Sequence, residues 1–298
     1  MLLKVLGTAA GGGFPQWNCA CELCSRARSG VASCLPRLQD SVAVSGDGTA
    51  WYLLNASPDV GAQVESFAPL QPGPGPRDTP IRGVLLTDAE LDHVSGLLAL
   101  RQGATLDVFA TASVLDAISH ALAFDAVLEA FCDVRWVPVA PGGSFGLAGG
   151  VEVQALPLGG GPPRYLGAAP GVAWSVAYRM HDHQTGGVAV YAPGVAEWLA
   201  PLEQELAQAD CVLMDGTFWS EAEMADAGVG GRGASEMGHL PVGGQAGSAA
   251  RLAGVPARRR IYVHINNTNP MVDEQSEEHA HVVAAGIEVG RDGMELEV

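Results

Sequence analysis

Apolar residues come along this chain in short runs, mostly of strand length, separated by glycine, proline and acidic turns. These runs predict strands at residues 2–6, 41–45, 51–54, 81–86, 106–109, 134–137, 151–156, 174–178, 188–191, 212–214 and 261–264. Apolar positions at helical spacing predict helices at 94–101, 112–120, 124–131, 197–208 and 244–252. Near the end, 287–289 and 294–298 flank Gly290-Arg291-Asp292-Gly293, whose Asp-Gly step predicts a terminal hairpin. Strands crowd together early and helices arrive at intervals. The pattern therefore predicts an α/β protein of packed sheets with helices outside, not a regular βαβ series. The stretch from Pro69 to Pro80 is expected as a stiff surface loop rather than a linker, because the strand patterns on both sides suit one sheet system.

Composition sets the outer limits. With 298 residues, 48% of them hydrophobic, the chain can bury a substantial core. No apolar run approaches the roughly 20 residues that cross a bilayer. The opening apolar run is too short for a signal-peptide core, so a cytoplasmic protein without membrane insertion is expected. A net charge of −17 argues against nucleic acid as partner, because such affinity rests on cationic neutralisation of phosphates. The basic run Arg258-Arg259-Arg260 is too small to change that.

The densest candidate chemistry is Thr87-Asp88-Ala89-Glu90-Leu91-Asp92-His93, in the loop between a predicted strand and a predicted helix. Asp88, Glu90, Asp92 and His93 can all bind a metal. Three later stretches place Asp215, His239 and His264 at strand ends or helix starts, and their convergence with the acidic loop on one pocket is the expectation. Other histidines are expected elsewhere: His181 and His183 with Asp182 in a polar turn, His279 and His281 in solvent, His120 on a helix. Gly11-Gly12-Gly13 lacks both dinucleotide-loop spacing and a Walker lysine, so it reads as a tight turn.

Cys19, Cys21 and Cys24 place three thiols within one short loop. In a cytoplasmic chain that spacing suits one tetrahedral Zn²⁺ better than disulfides. Cys34 or a more distant residue could supply the fourth ligand. Cys132 and Cys211 lie in apolar contexts and are expected in the core.

Long segments then carry a resemblance: Gly7 through Cys21, Leu53 through Asp59, Leu86 through Gly96, Met214 through Trp219, Met237-Gly238-His239, and His264 through Pro270. Together they resemble the pyrroloquinoline quinone (PQQ) biosynthesis protein B family of the metallo-β-lactamase superfamily, over almost the whole chain. The resemblance implies a four-layer αββα sandwich of two mixed sheets with outer helices. It implies a single domain over residues 1–298, with a zinc loop at about 14–34. Superfamily hydrolases carry His-x-His-x-Asp-His on the acidic loop. Here Asp88 and Glu90 stand in the first two histidine positions, and Leu158-Gly159-Gly160-Gly161 offers no imidazole where the superfamily places another. The resemblance then implies a metal at Asp92, His93 and His264, a two-histidine, one-carboxylate set of the kind found in non-haem Fe(II) oxygenases. A dizinc hydrolase, which needs two clamped metals, is disfavoured. Glu90 and Asp88 could hold a second, harder ion, act as a base, or support the first ion from behind. Asp215 would be a supporting carboxylate or further ligand, and His239 a substrate-facing acid or base.

For function, the family implies a place in PQQ synthesis. One reading is an Fe(II)- and O₂-dependent hydroxylase acting on the tyrosine ring of a cross-linked Glu–Tyr intermediate from a precursor peptide. Another is a carrier helping PQQ or its precursor to the periplasm, and a third is a metal-dependent hydrolase. The oxygenase is preferred, because carriage needs no open metal site. Zinc in isolated protein is compatible with native iron, since Zn²⁺ competes well for imidazoles. Related phosphodiesterases complete the cysteine site with a histidine where this chain has Asn267, so Cys34, an asparagine or water stays open as fourth ligand. The number of hydroxylations and a homodimer stay open too.

Overall fold

The computed structural model describes residues 1–102, 105–169 and 171–298. Its strands are β1 (Leu2–Gly7), β2 (Ser41–Ser45), β3 (Trp51–Leu54), β4 (Ile81–Leu85), β5 (Thr105–Thr111), β6 (Asp133–Val139), β7 (Ser144–Leu147), β8 (Val151–Pro157), β9 (Val176–Asp182), β10 (Val188–Ala192), β11 (Cys211–Asp215), β12 (Arg259–Val263), β13 (Glu288–Val289) and β14 (Glu295–Glu297). They form two seven-stranded sheets, ordered β14-β1-β2-β3-β4-β5-β6 and β13-β12-β11-β10-β9-β8-β7. Both are mixed. β3 to β6 run parallel beside the antiparallel β1–β2–β3, and β10 to β13 run parallel beside the antiparallel β7 to β10.

Strand periodicity explains the layering. In β11 every residue is buried. Cys211 and Leu213 point into the core between the sheets, while Val212 and Met214 pack outward with Leu202, Leu206 and Leu252 of the helical layer. A strand covered on both faces reads as a continuous apolar run, which is why these segments stand out in the sequence. Helices Ala200–Leu206, Ser248–Leu252 and Glu277–Ala284 cover the second sheet, with Val282 in the same outer cluster. Val60, Val94, Val114, Ile118 and Leu128 do the same for the first. The result is an αββα sandwich. Among the described residues, no helix is long and apolar enough to cross a membrane.

Several expected elements shift. The terminal hairpin does not form: β13 pairs with β12 and β14 with β1, so the two segments join different sheets. Asp292 shows why, since its carboxylate accepts from Leu38 N at 2.6 Å and Thr8 Oγ1 at 2.7 Å and anchors the crossing. The helix expected at 94–101 starts earlier, at Leu91–Val94, and continues as a 3₁₀ turn over Ser95–Leu98. Asp182 lies inside β9, buried, and receives the Met1 amine at 2.6 Å, so the polar turn holds only the residues after it. Cys211 is in the core, whereas Cys132 is half-buried.

Candidate metal centre

The acidic loop after β4 meets the ends of β11 and β12 at one rim of the sandwich, where His264 Nε2 lies 3.2 Å from Asp92 Oδ2. Local structure fixes each partner. Asn55, with φ at +62°, accepts from Thr87 N at 2.9 Å and pins the end of β4. Asp88 Oδ1 accepts from Glu90 N at 2.9 Å, turning the chain into the short helix that carries Asp92 and His93. That helix lies hard against the loop after β3: a Cβ on Gly96 would stand 2.2 Å from Ser57 O. His264 itself has φ at +54°, a conformation that disfavours most side chains and clusters at functional sites.

Each histidine is held at Nδ1. His93 Nδ1 lies 2.8 Å from both Asp88 oxygens, and His239 Nδ1 lies 2.7 Å from Asp215 Oδ2. An ionised carboxylate only accepts, so both rings donate from Nδ1 and turn Nε2 toward the pocket. His264 Nδ1 meets the Thr217 hydroxyl at 2.7 Å, and its ring stacks on His239 with centroids 5.4 Å apart. His93 Nε2 is buried with no hydrogen-bond partner among the described residues. Such an orphaned nitrogen, beside Asp92 and His264 with all three ligand atoms within 4.8 Å, fits one cation.

The charges agree with that. Burial opposes a protonated His93, but Asp88 and Asp92 outweigh it and push the imidazole up to about 10. Burial likewise opposes ionised Asp92, yet His93 and His264 hold its carboxyl well below the usual range. The pocket thus strongly favours positive charge. Glu90 is exposed at the rim, yet the protein around it, then Asp88 and Asp92, push its carboxyl up to about 7.

Alongside Asp92 opens a cleft of about 590 Å³, lined among others by Gly11, Pro58, Glu90, Leu91, Arg164 and Tyr165. Gly11 leaves room there, since a Cβ would stand 3.2 Å from Asp92 Oδ2. Tyr165 donates to Ala89 O at 2.8 Å and fastens its segment to the acidic loop. Arg164 is the cation of this lining. It sits in a Gly- and Pro-rich stretch with no periodic signal, so nothing along the chain marks it out. Asn55 and Thr217 lie in segments that carry the family resemblance, but their sequence spacing does not reveal what they touch.

Cys19, Cys21 and Cys24 converge with their sulfurs within 4.8 Å of one another. Cys34 falls outside this group, its thiol turned to Leu23 O at 3.6 Å. The Asn267 amide instead caps the three, with Nδ2 at 3.3, 3.8 and 3.3 Å from the sulfurs of Cys19, Cys21 and Cys24.

Known proteins are similar to this chain in sequence and fold. The Beta-lactamase superfamily domain model matches residues 50–265. Coenzyme PQQ synthesis protein B of Azotobacter vinelandii is 42% identical over 303 residues, covering all of both chains. The protein of that name from Nitrosococcus oceani is 43% identical, covering 99% of each. The chain belongs to the coenzyme PQQ synthesis protein B family. Within that family, the crystal structure of Zn²⁺-bound PqqB from Methylobacterium extorquens superimposes with a TM-score of 0.94 at 38% identity over both whole chains. A diphosphatase of the PhnP family matches at a TM-score of 0.70 and 20% identity, covering 100% of this chain and 97% of its own, which speaks to the metallo-β-lactamase fold alone.

Proposed function

We propose that this protein serves in coenzyme PQQ synthesis as a metal-dependent enzyme, an Fe(II)- and O₂-dependent hydroxylase of the tyrosine ring in a cross-linked Glu–Tyr intermediate. One observation carries the reading: the set of half-buried Asp92 with buried His93 and His264 offers one carboxylate and two imidazoles, while Asp88 is turned away to hold His93. Bound there, Fe(II) would supply O₂ activation beside a phenol. The remaining work falls to the chain's own residues. The cleft over Asp92 receives a small molecule or short peptide fragment, Leu91, Pro58 and Tyr165 offering apolar walls and Arg164 a partner for a negative group. His239, oriented by Asp215, offers Nε2 to accept or return the phenol proton. Glu90 stands at the rim as a second carboxylate for proton exchange.

A structural zinc at Cys19, Cys21 and Cys24 belongs to the same proposal. Turned half a revolution about its last bond, the Asn267 amide presents Oδ1 to the three sulfurs as a fourth ligand.

The test is anaerobic loading of metal-stripped protein with Fe(II), then addition of the Glu–Tyr compound and air, followed by mass spectrometry. Gain of oxygen on the ring is expected, lost in Asp92→Ala. Substrate returned unchanged would sink the hydroxylase, tight metal-independent binding of the finished quinone would favour a carrier, and phosphodiester turnover would favour a hydrolase.

A further inference from the structure

We propose that Asp215 is a positioning residue rather than a metal ligand, and that it sets two imidazoles at once: His239 directly and His264 through the Thr217 hydroxyl. The inference rests on the reading that the rim pocket holds a metal. By residue type alone, Asp215, His239 and His264 could form a second cation site, since their ligand atoms lie within 4.8 Å of one another. Hydrogen bonding decides against it. Asp215 is 2% exposed, and four donors converge on its carboxylate. Oδ2 accepts from Val195 N at 2.8 Å and from His239 Nδ1 at 2.7 Å. Oδ1 accepts from Thr217 N at 3.0 Å and from Thr217 Oγ1 at 2.6 Å. A carboxylate has about four lone-pair directions, so a cation could enter only by stripping a donor away. Two of those donors are buried backbone amides, which a cation would leave unpaired.

Thr217 extends the control to His264. Its hydroxyl has one proton and three close neighbours: Asp215 Oδ1 at 2.6 Å, His264 O at 2.8 Å and His264 Nδ1 at 2.7 Å. The first two can only accept, and the shortest contact is to the carboxylate. The hydroxyl proton therefore goes to Asp215, and His264 Nδ1 must donate to Oγ1. With Nδ1 so engaged, Nε2 is the His264 nitrogen that faces Asp92 and that a cation in the pocket would meet. Asp215 so acts on metal affinity through one branch and on His239 through the other. Thr217 belongs to the first branch alone.

Co(II) titration of protein retaining its structural zinc separates these roles. Ligand-field absorption reports the rim pocket, and thiolate charge-transfer bands report any exchange at the cysteines. Wild type is expected to take one rim Co(II) per chain. Thr217→Val should weaken that affinity about 10- to 100-fold, the range for removing a partner behind a ligating histidine, and Thr217→Ser should restore it to within about twofold. Asp215→Asn should also weaken binding about 10- to 100-fold, with unchanged stoichiometry and band shape. In the Zn²⁺-loaded protein, the downfield His239 Nδ1–H proton signal should be lost or moved in Asp215→Asn but kept in Thr217→Val. Loss of Co(II) or a changed ligand field in Asp215→Asn makes Asp215 a ligand and overturns the inference, as does wild-type affinity in Thr217→Val. If Asp215→Asn does not fold, the two Thr217 variants decide. Absence of Co(II) from the wild-type pocket is a different failure, that of the metal reading itself.

Discussion

Asp88 stands where the superfamily pattern has a metal-binding histidine, and its carboxylate instead grips His93 from behind with both oxygens. It also accepts from Thr87 Oγ1 at 2.8 Å, so it is held as firmly as it holds. Burial opposes its charge, but His93 keeps the carboxyl below its ordinary value. Asp88→Ala is therefore expected to leave the ligand set intact while lowering metal affinity about 10- to 100-fold, because His93 loses its orientation and tautomer. Titration with Co(II) checks this, and wild-type affinity in the variant would mean that Asp88 is incidental. Asp92, His93 and His264 stood out in the sequence through residue type and strand-end position. The job of Asp88 did not, because a carboxylate in a ligand's place looks the same whether it faces the pocket or the ring behind it.

At the scale of elements, the approach of the short helix at Leu91–Val94 to the loop after β3 sets the position of His93. Ala56 N donates to His93 O at 2.7 Å, and Gly96 N donates to Ala56 O at 2.9 Å. Gly96→Ala would place a methyl 2.2 Å from the Ser57 carbonyl, so helix and loop must part. A loss of about 1–3 kcal/mol is expected, seen as a lower melting temperature together with weaker metal binding. An unchanged melting curve would show that the contact relaxes freely. Most strands were legible because covered sheets demand apolar runs. β7, Ser144–Leu147, was not, since an edge strand with two exposed residues lacks that run. The final pair of strands was legible as strands but not in its pairing: an Asp-Gly step reads the same whether the chain folds back or crosses to another sheet. Helices shortened for a similar reason, as periodicity continues past the point where Pro201 lets the helix Ala200–Leu206 begin.

At the scale of the whole molecule, two devices tie the layers to the site. Tyr191 on β10 reaches across the core to donate to Asp40 Oδ2 at 2.7 Å, and Asn55 Nδ2 meets the same phenol at 3.2 Å. Asp40 Oδ1 has no partner among the described residues, and burial raises its carboxyl from 3.8 to about 6. A carboxyl raised on folding favours the folded state while protonated. Its contribution is full below 3.8 and falls as pH climbs through about 6, by roughly 3 kcal/mol in total. Asp40→Asn in metal-stripped protein should thus gain melting temperature over wild type between pH 5 and pH 8, and a constant difference would exclude Asp40 as the cause. The second device is the cysteine site, whose Asn267 cap lies on the loop that begins at His264. Cys21→Ala is expected to lose one zinc per chain by metal analysis, with weaker rim-site binding as His264 loosens. Unchanged zinc content would contradict the assignment.

The left-handed backbone at His264 governs how that ligand can be removed. Alanine or valine there would charge the variant with a conformational penalty unrelated to the imidazole, and a dead protein would say nothing about metal. Asparagine and glycine tolerate the turn. The experimenter who wants the ligand alone should choose between those two, and the melting difference between His264→Gly and His264→Ala then gauges the backbone penalty that a side chain meets at this position.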